Sequence, residues 1–346
     1  MEIVVVKEFN VAYEIAQLMC YSYLPDEFTK EKVKAAFADQ GVRAGKLLDR
    51  VYALTEENVE IFEKGMVKSE ADAFFFEDVN SYHSCTMSLA FFLSDNKNLL
   101  ENVDQIDEQA FYSQLAMYWF EKVPDCMEEI VTLLQNEELE LTPTAAWKLL
   151  LLFEKPKKYL EQFVQIIQKN LPAFNETVKK QRKLVDALMV QLEQQKSTLI
   201  PVIELANTMS ENEDINQDAV KIIPSLAGSG MFYTFDLETY YAGYYFQEVL
   251  QFVLRSTQPI EDIAPVLKLL GDSSKFEILK FLKQAPNYNL EIAKHLGLTP
   301  ATASHHMSGL FLNGLVTVEK INKKMYYAIS EDKVREILAS LEATLL

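Results

Sequence analysis

"TPATASHHMSGLFLNGLV", residues 299–316, is the stretch on which the reading of the fold turns. Thr299 stands before Pro300, a hydroxyl suited to an N-cap followed by the residue favoured at the first helical position, and the stretch closes on Gly314. A helix begun at Pro300 puts Ala303, Met307 and Leu310 on one inward face, at the spacing of three and four that helices require. The opposite face offers Ala301, Thr302, Ser304, His305 and Ser308. Two neighbouring histidines invite a metal or a catalytic reading. Adjacent helical positions point about 100° apart, so His305 and His306 cannot chelate one ion together without distortion. No nucleophile elbow, zinc-protease helix or complete phosphate loop occurs in the chain, and no enzyme is expected. Small hydroxyls and an imidazole suit instead the close approach to base edges and phosphates.

Working outward, "EDIAPVLKLLG" (261–271) reads as one helix and "DSSKFEILKFLKQ" (272–284) as a second, with Asp272 as N-cap and Phe276, Ile278, Leu279 and Leu282 turned toward a core. "NLEIAKHLG" (289–297) is a short third helix ended by Gly297, which lets the chain reverse tightly. On the other side, "LVTVEKINKKMYYAIS" (315–330) alternates as two strands around a turn at Asn322 to Lys324, and "EDKVREILASLEATLL" (331–346) closes as an amphipathic helix. This order predicts a winged helix-turn-helix. The expected contacts to double-stranded DNA are Thr299, Ala301, Thr302, Ser304, His305, Ser308 and Lys294, with Lys320, Lys323 and Lys324 on the wing at the backbone or minor groove.

The segments "LLGDSSKFEILKFL", "NLEIAKHLGLTPATASHHMSGL" and "NGLVTVEKINKKMYYAIS" resemble the ArsR family of winged-helix repressors, over about residues 262 to 330. The resemblance implies that His305 faces DNA, that His306 packs against the body, and that the first and last helices, Glu261 to Leu270 and Asp332 to Leu346, form a homodimer. Metal-sensing members carry cysteines at the start of the short helix, where this chain has Tyr288 and Leu290; no cysteine follows Cys126, and the last helix lacks histidine. Neither a metal nor another cofactor is therefore expected. Ser308, Gly309, Phe311 and Leu312 also depart from the family pattern, and Gly309 should weaken its helix by roughly 1 kcal/mol. A long N-terminal extension with a strand ending "IIPS" looks like a little-characterised subgroup of these regulators.

With 346 residues the chain exceeds the usual size of one domain, and two are expected: residues 1–256, mostly helical and regulatory, and 257–346, for DNA binding and dimerisation. Hydrophobic residues at 49% and charged ones at 24% fit a globular protein and exclude disordered or fibrous classes. "MEIVVVKEFN" holds an apolar run too short for a leader, and no eighteen apolar residues run together, so a cytoplasmic protein without membrane association is expected. Cys20, Cys85 and Cys126 are too few and too scattered for a disulfide framework and read as buried thiols; His83 and Cys85 in "YHSC" lack a second pair at ligand spacing. From Thr257 onward ten Lys and Arg balance ten Asp and Glu, so the whole net charge of −18 falls in residues 1–256. Between Pro286 and Ser330 four lysines face two glutamates, which gives a locally basic surface on an acidic body.

The first half reads as amphipathic helices in "AYEIAQLMCYSYL", "TKEKVKAAFADQG", "ENVEIFEKGMV", "EQAFYSQLAMYWFEKV", "PDCMEEIVTLLQ" and "TPTAAWKLLLLFEKP", the last capped by Thr142 and stopped near Pro156. A long packing helix is expected from about Leu171 to Leu199, with Phe174, Val178, Val185, Leu188 and Leu192 on one stripe interrupted by Gln181. "AVKIIPSLAGSGMFYTFD" (219–236) reads as two short strands and a loop whose "GSG" lacks the lysine of a phosphate loop. "LETYYAGYYFQEVLQFVLR" (237–255) reads as a helix whose Tyr240, Tyr241, Tyr244 and Tyr245 line either a ligand pocket or the core, and Ser256 to Pro259 as a linker. The fold class is mainly α (α+β): a large helical N-terminal domain with a few short strands, plus the winged helix. The function expected is a homodimeric, sequence-specific transcriptional repressor whose N-terminal domain responds to a small-molecule or protein effector. The alternative is an interaction protein in which the winged helix serves only dimerisation.

Overall fold

The computed structural model describes residues 2–26, 28–39, 45–76, 85–120, 122–135, 141–200, 203, 219–234, 238–255, 263–321 and 324–346. Strand β1 (Glu2–Val5) leads into α1 (Val11–Tyr23), α2 (Lys30–Asp39), α3 (Gly45–Glu63), the short α4 (Asp72–Phe76), α5 (Cys85–Asp95), α6 (Glu108–Phe120), α7 (Met127–Leu134), α8 (Pro143–Glu154), α9 (Pro156–Lys180) and α10 (Arg182–Gln195). Then come β2 (Ala219–Ser225), β3 (Phe232–Thr234), β4 (Thr239–Gly243) and α11 (Phe246–Arg255). The C-terminal part holds α12 (Ala264–Leu270), α13 (Ser273–Leu282), α14 (Asn289–Leu296), α15 (Pro300–Leu312), β5 (Val316–Ile321), β6 (Lys324–Ile329) and α16 (Glu331–Leu345). The fold is mainly helical with few short strands, as the periodicity implies. No helix among the described residues is long and apolar enough to cross a membrane.

Helix α1 is apolar on nearly every side: Ala12, Tyr13, Ile15, Ala16, Leu18, Met19 and Cys20 are all buried. A helix without a wet face needs neighbours all round, and α3, α4, α5 and α9 pack against it. Asn10 caps it, accepting from the Tyr13 amide at 3.2 Å. Each fully buried Ile or Leu here contributes about 2 kcal/mol through apolar area removed from water.

The sheet has the order β1-β2-β4-β3, with β1, β2 and β4 parallel and β3 antiparallel to β4. The strand β1 is an addition to the sequence reading, which weighed its apolar run only as a leader. Alternation splits β2 and β4 between two cores. Val220, Ile222, Tyr240 and Ala242 join Leu188, Leu192 and Phe246, whereas Ile223 and Tyr241 face the larger cluster that holds α1. Pro224 is tolerated inside β2 because the Lys221 amide bonds toward β4 while the Ile222 carbonyl bonds toward β1. The proline nitrogen therefore points to the β1 side, where pairing has already ended at Ile222.

Several sequence expectations are corrected. The segment with Tyr240, Tyr241, Tyr244 and Tyr245 is a strand and a turn before α11, not one helix. Tyr240 and Tyr241 lie in different cores on opposite faces of the sheet, so the four rings line no common pocket. The long helix starts at Pro156 rather than Leu171 and breaks at Gln181, whose backbone (φ −90°, ψ 16°) leaves the helical region. The stripe itself is buried at Phe174, Val185, Leu188 and Leu192, as a packing helix requires. Cys20 is buried but Cys126 is exposed. Thr142 caps α8 as expected, accepting from the Ala145 amide at 3.1 Å, and Pro156 opens the next helix. His83 and the linker at 256–259 lie outside the described residues.

The loop after β2, Leu226 to Gly230, is buried throughout and presses against the end of β4. A side chain on Gly243 would collide with the Gly228 carbonyl oxygen and the Ser229 backbone. Backbone atoms cannot swing aside, so Gly243→Ala is expected to destabilise by about 3 kcal/mol or more, read as a thermal midpoint lowered by several degrees. An unchanged midpoint would show that the loop and β4 are not in contact.

Candidate nucleic-acid interface

The C-terminal elements share their own core, in which Val266, Leu269, Ile278, Leu279, Leu282, Ile292, Met307, Leu310, Val316 and Ile337 are buried. Asp272 starts α13, accepting from the Lys275 amide at 2.9 Å. Ile278, Leu279 and Leu282 turn inward as expected, but Phe276 does not and is 49% exposed. Lys275 takes the inward position instead, buried to 5% exposure, and the next residue on a helix points about 100° away.

The reversal before α15 is built from two backbone bonds. Gly297 sits at φ 66°, and its amide donates to the Lys294 carbonyl (3.4 Å) while the Leu298 amide reaches back to the Ala293 carbonyl (2.9 Å). This pair of bonds is the Schellman closure, which needs a residue at ease in the left-handed region. Thr299 then caps α15, accepting from the Thr302 amide at 3.1 Å, and the two threonine hydroxyls lie 2.8 Å apart. Gly314, at φ 69°, closes the far end in the same way, with the Leu315 amide bonded to the Leu310 carbonyl at 2.9 Å.

Between these ends α15 buries Ala303, Met307 and Leu310 and leaves Ser304 and His305 exposed. Thr302 and Ser308 are half-buried; the Ser308 hydroxyl donates to the Ser304 carbonyl at 2.9 Å. Thr299, Thr302, Ser304, His305 and Ser308 are thus brought onto one helix and its cap, with Lys294 exposed on α14 before the turn. Ala301 belongs to α15, Lys320 to β5 and Lys324 to β6, while Lys323 lies outside the described residues. The hairpin pairs Val316 with Ile329 through Ile321 with Lys324. Reciprocal bonds between Asn287 and Tyr327, 2.8 and 3.0 Å, tie β6 to the chain just before α14.

His306 is half-buried on the opposite side from solvent-facing Ser304, toward the start of α13. Burial depresses its proton affinity below the ordinary imidazole value, the Lys275 ammonium adds to this, and Asp272 opposes it. Its Nδ1 finds no hydrogen-bond partner among the described residues. Asp272 is held low: burial alone raises it, but the Lys275 amide and ammonium outweigh that. Lys275, which joins the two, was not anticipated; the signal was an acidic cap three residues before a lysine. A second unanticipated contact is the Phe281 ring stacked on His295, with centroids 3.9 Å apart and planes 11° from parallel. On the outer helices Leu267 (39%), Leu338 (60%) and Leu345 (71%) are exposed.

Nothing lies within 4 Å of a side chain added at Gly297, so its requirement is purely one of backbone conformation. Gly297→Ala is expected to cost about 1–2 kcal/mol, with Gly297→Asn costing less, since asparagine tolerates the left-handed region better than alanine. Chemical denaturation checks the ranking; equal effects would show that the strain lies elsewhere.

A family model described as bacterial regulatory protein, arsR family, matches residues 272–318. The arsenical resistance operon repressor of Staphylococcus aureus is 32% identical over 81 residues, which are 23% of this chain and 78% of that protein. The arsenical resistance operon repressor of Staphylococcus xylosus is 30% identical over 82 residues, 24% of this chain and 79% of that protein. No solved structure matches the chain. A helix-turn-helix closed at Gly297, followed by a wing and shared with relatives of which this chain covers more than three quarters, places the chain in a known group: it belongs to the arsR family of bacterial regulatory proteins.

Proposed function

We propose that the protein is a homodimeric, sequence-specific repressor in which α15 reads the major groove of double-stranded DNA. Membership of the arsR family makes it a DNA-binding transcriptional regulator; the finer reading concerns residues, assembly and control. The observation that carries it is the exposed pair Ser304 and His305 on a helix whose other face is locked into the core by Ala303, Met307 and Leu310. Hydroxyl and imidazole groups there can donate to base edges and phosphates; Thr299, Thr302 and Ser308 extend the same surface, and Ala301 belongs to the same helix. Lys294 on α14 and Lys320, Lys323 and Lys324 of the wing supply cations for the phosphates.

Residues 257–346 form the DNA-binding and dimerising unit in this reading, and residues 1–256 a regulatory unit. Leu267 on α12 and Leu338 and Leu345 on α16 are exposed apolar residues on the first and last helices of the winged helix, where a second copy would cover them. Two copies would present their α15 helices to half-sites about one turn of DNA apart. The relatives are named for arsenical resistance. This chain has no cysteine after Cys126, so the effector is sought in a small molecule or protein acting on the N-terminal unit. A second reading, an interaction protein with a dimerising winged helix, is favoured by the absence of any Lys or Arg in Pro300–Leu312.

Selection of bound fragments from sheared genomic DNA of the source organism separates the two. The wild type is expected to enrich a palindromic site with affinity that falls steeply with salt. The combined change Ser304→Glu and His305→Glu should weaken that binding more than a hundredfold while leaving the oligomer unchanged; equal retention of DNA by both proteins would sink the assignment of α15. Replacing Leu338 and Leu345 with Glu together should convert a dimer into a monomer in light scattering. A variant that stays dimeric would move the interface off α16.

A further inference from the structure

The most deeply buried carboxyl described belongs to α1, outside the winged helix. Glu14, on α1, has no exposed surface. One oxygen, Oε2, accepts from the amides of Leu226 and Ala227, each at 2.9 Å. The other, Oε1, has no partner among the described residues. Beside it Asn58 of α3 donates to the Leu226 carbonyl at 3.0 Å, and the Asn58 Oδ1 is also buried without a partner. Glu14 and Asn58 therefore grip one peptide, at Leu226, from two helices, and each holds a spare acceptor that lacks a proton to accept.

Two buried acceptors without a donor are costly, and a proton on the carboxyl turns one of them into a donor. Among the described residues no cation is found acting on the Glu14 carboxyl. Burial is the largest influence on Glu14 and raises its affinity for a proton to about 7; only the Ser225 hydroxyl and the Ala227 and Leu226 amides pull the other way. The other groups around α1 are engaged with one another. Asp72 of α4 accepts from the Tyr23 hydroxyl at 2.7 Å and from Ser69, and the Tyr241 hydroxyl of β4 accepts from Asn10 at 2.7 Å.

The gripped loop has a further connection. The Ser229 carbonyl accepts from the Tyr245 amide at 2.8 Å, and the Tyr245 carbonyl in turn accepts from the Val249 amide of α11. A shift of the loop therefore reaches the helix that precedes the DNA-binding part in sequence.

We propose that Glu14 is a proton-operated latch, neutral when α1 is locked onto the loop after β2 and strained when it ionises, so that the hold of α1 on that loop changes with pH. The folded protein holds this proton more tightly than the unfolded chain, for which the ordinary value is 4.5. The stabilisation is thus complete below about 4.5 and is lost as the pH rises through about 7. The loss corresponds to a fall in the folding equilibrium on the order of a hundredfold.

The test is a carbon-13 titration of the full chain labelled at glutamate carboxyl carbons, from about pH 5 to 8, with the amide signals of Leu226 and Ala227 followed alongside. One carboxyl is expected to titrate near neutrality, with both amides shifting at the same midpoint. Glu14→Gln, whose amide supplies the missing donor, should abolish that titration and remove the roughly hundredfold loss of stability. A wild type in which every glutamate has ionised by about pH 6 overturns the latch. So does a neutral-range titration that persists in Glu14→Gln, which would belong to another carboxyl. The wild-type amide midpoints decide the matter even if the variant does not fold.

Discussion

Burial of α1 on nearly all sides is the constraint around which the largest core of the described residues is organised. Its apolar residues leave no direction open to water, so helices must close over it on several sides and the face of the sheet that carries Ile223 and Tyr241 must join the same core. The same burial determines what polar groups are tolerated there. Asn10 is acceptable because it caps the helix and reaches the Tyr241 hydroxyl. Glu14 is acceptable because the loop after β2 turns two amides toward it, and that loop can approach so closely only because its partner on β4 is Gly243. Helix, loop and strand end are thus packed together as one unit.

The C-terminal part solves a different problem, which is to fix one helix on a small core while keeping Ser304 and His305 exposed on it. Two left-handed glycines, Gly297 and Gly314, bracket α15 and reverse the chain at both ends within a few residues. Ala303, Met307 and Leu310 anchor it, Phe311 packs partly against the same core, and Ser304 and His305 are left exposed. The Lys275 ammonium acts electrostatically on His306 across the contact of α13 with α15, so that contact is sensitive to charge. The bonds between Asn287 and Tyr327 attach the wing to the same scaffold rather than leaving it as a free hairpin.

Much of the winged helix is legible in the sequence because its signals are local. Caps at Asp272 and Thr299, the glycine at 297 and the alternation of the hairpin each act within four residues, and each is found as the residue types imply. The face of α15 is legible for the same reason, since a three-and-four spacing fixes which positions share a side. The failures lie where partners are remote. Tyrosines at 240, 241, 244 and 245 fit a helical repeat as well as a strand followed by a turn, and only pairing with β2 decides for the strand. β1 is four residues long and has no meaning without β2. Phe276 looks like core by hydropathy, but the inward place at the start of α13 goes to Lys275, whose long stem lies in the core while its ammonium approaches Asp272 at 3.7 Å. Glu14 carries no local signal at all.

The distance along the chain between α1 and the strands that cover it also shapes how the protein is made. Glu14 and its partner Leu226 are separated by 212 positions. At about 5–20 residues per second a ribosome needs on the order of ten to forty seconds to supply that partner after α1 has emerged. Throughout that interval a helix that is buried on nearly every side in the folded protein lacks its sheet, and helices α3 to α9 can collapse around it only in part. Such long-range closure slows folding and prolongs exposure of sticky surface. Production of the chain should therefore depend on chaperones that shield nascent apolar helices, whereas the winged helix, synthesised after these elements and built from near neighbours, has no such distant partner to wait for among its core residues.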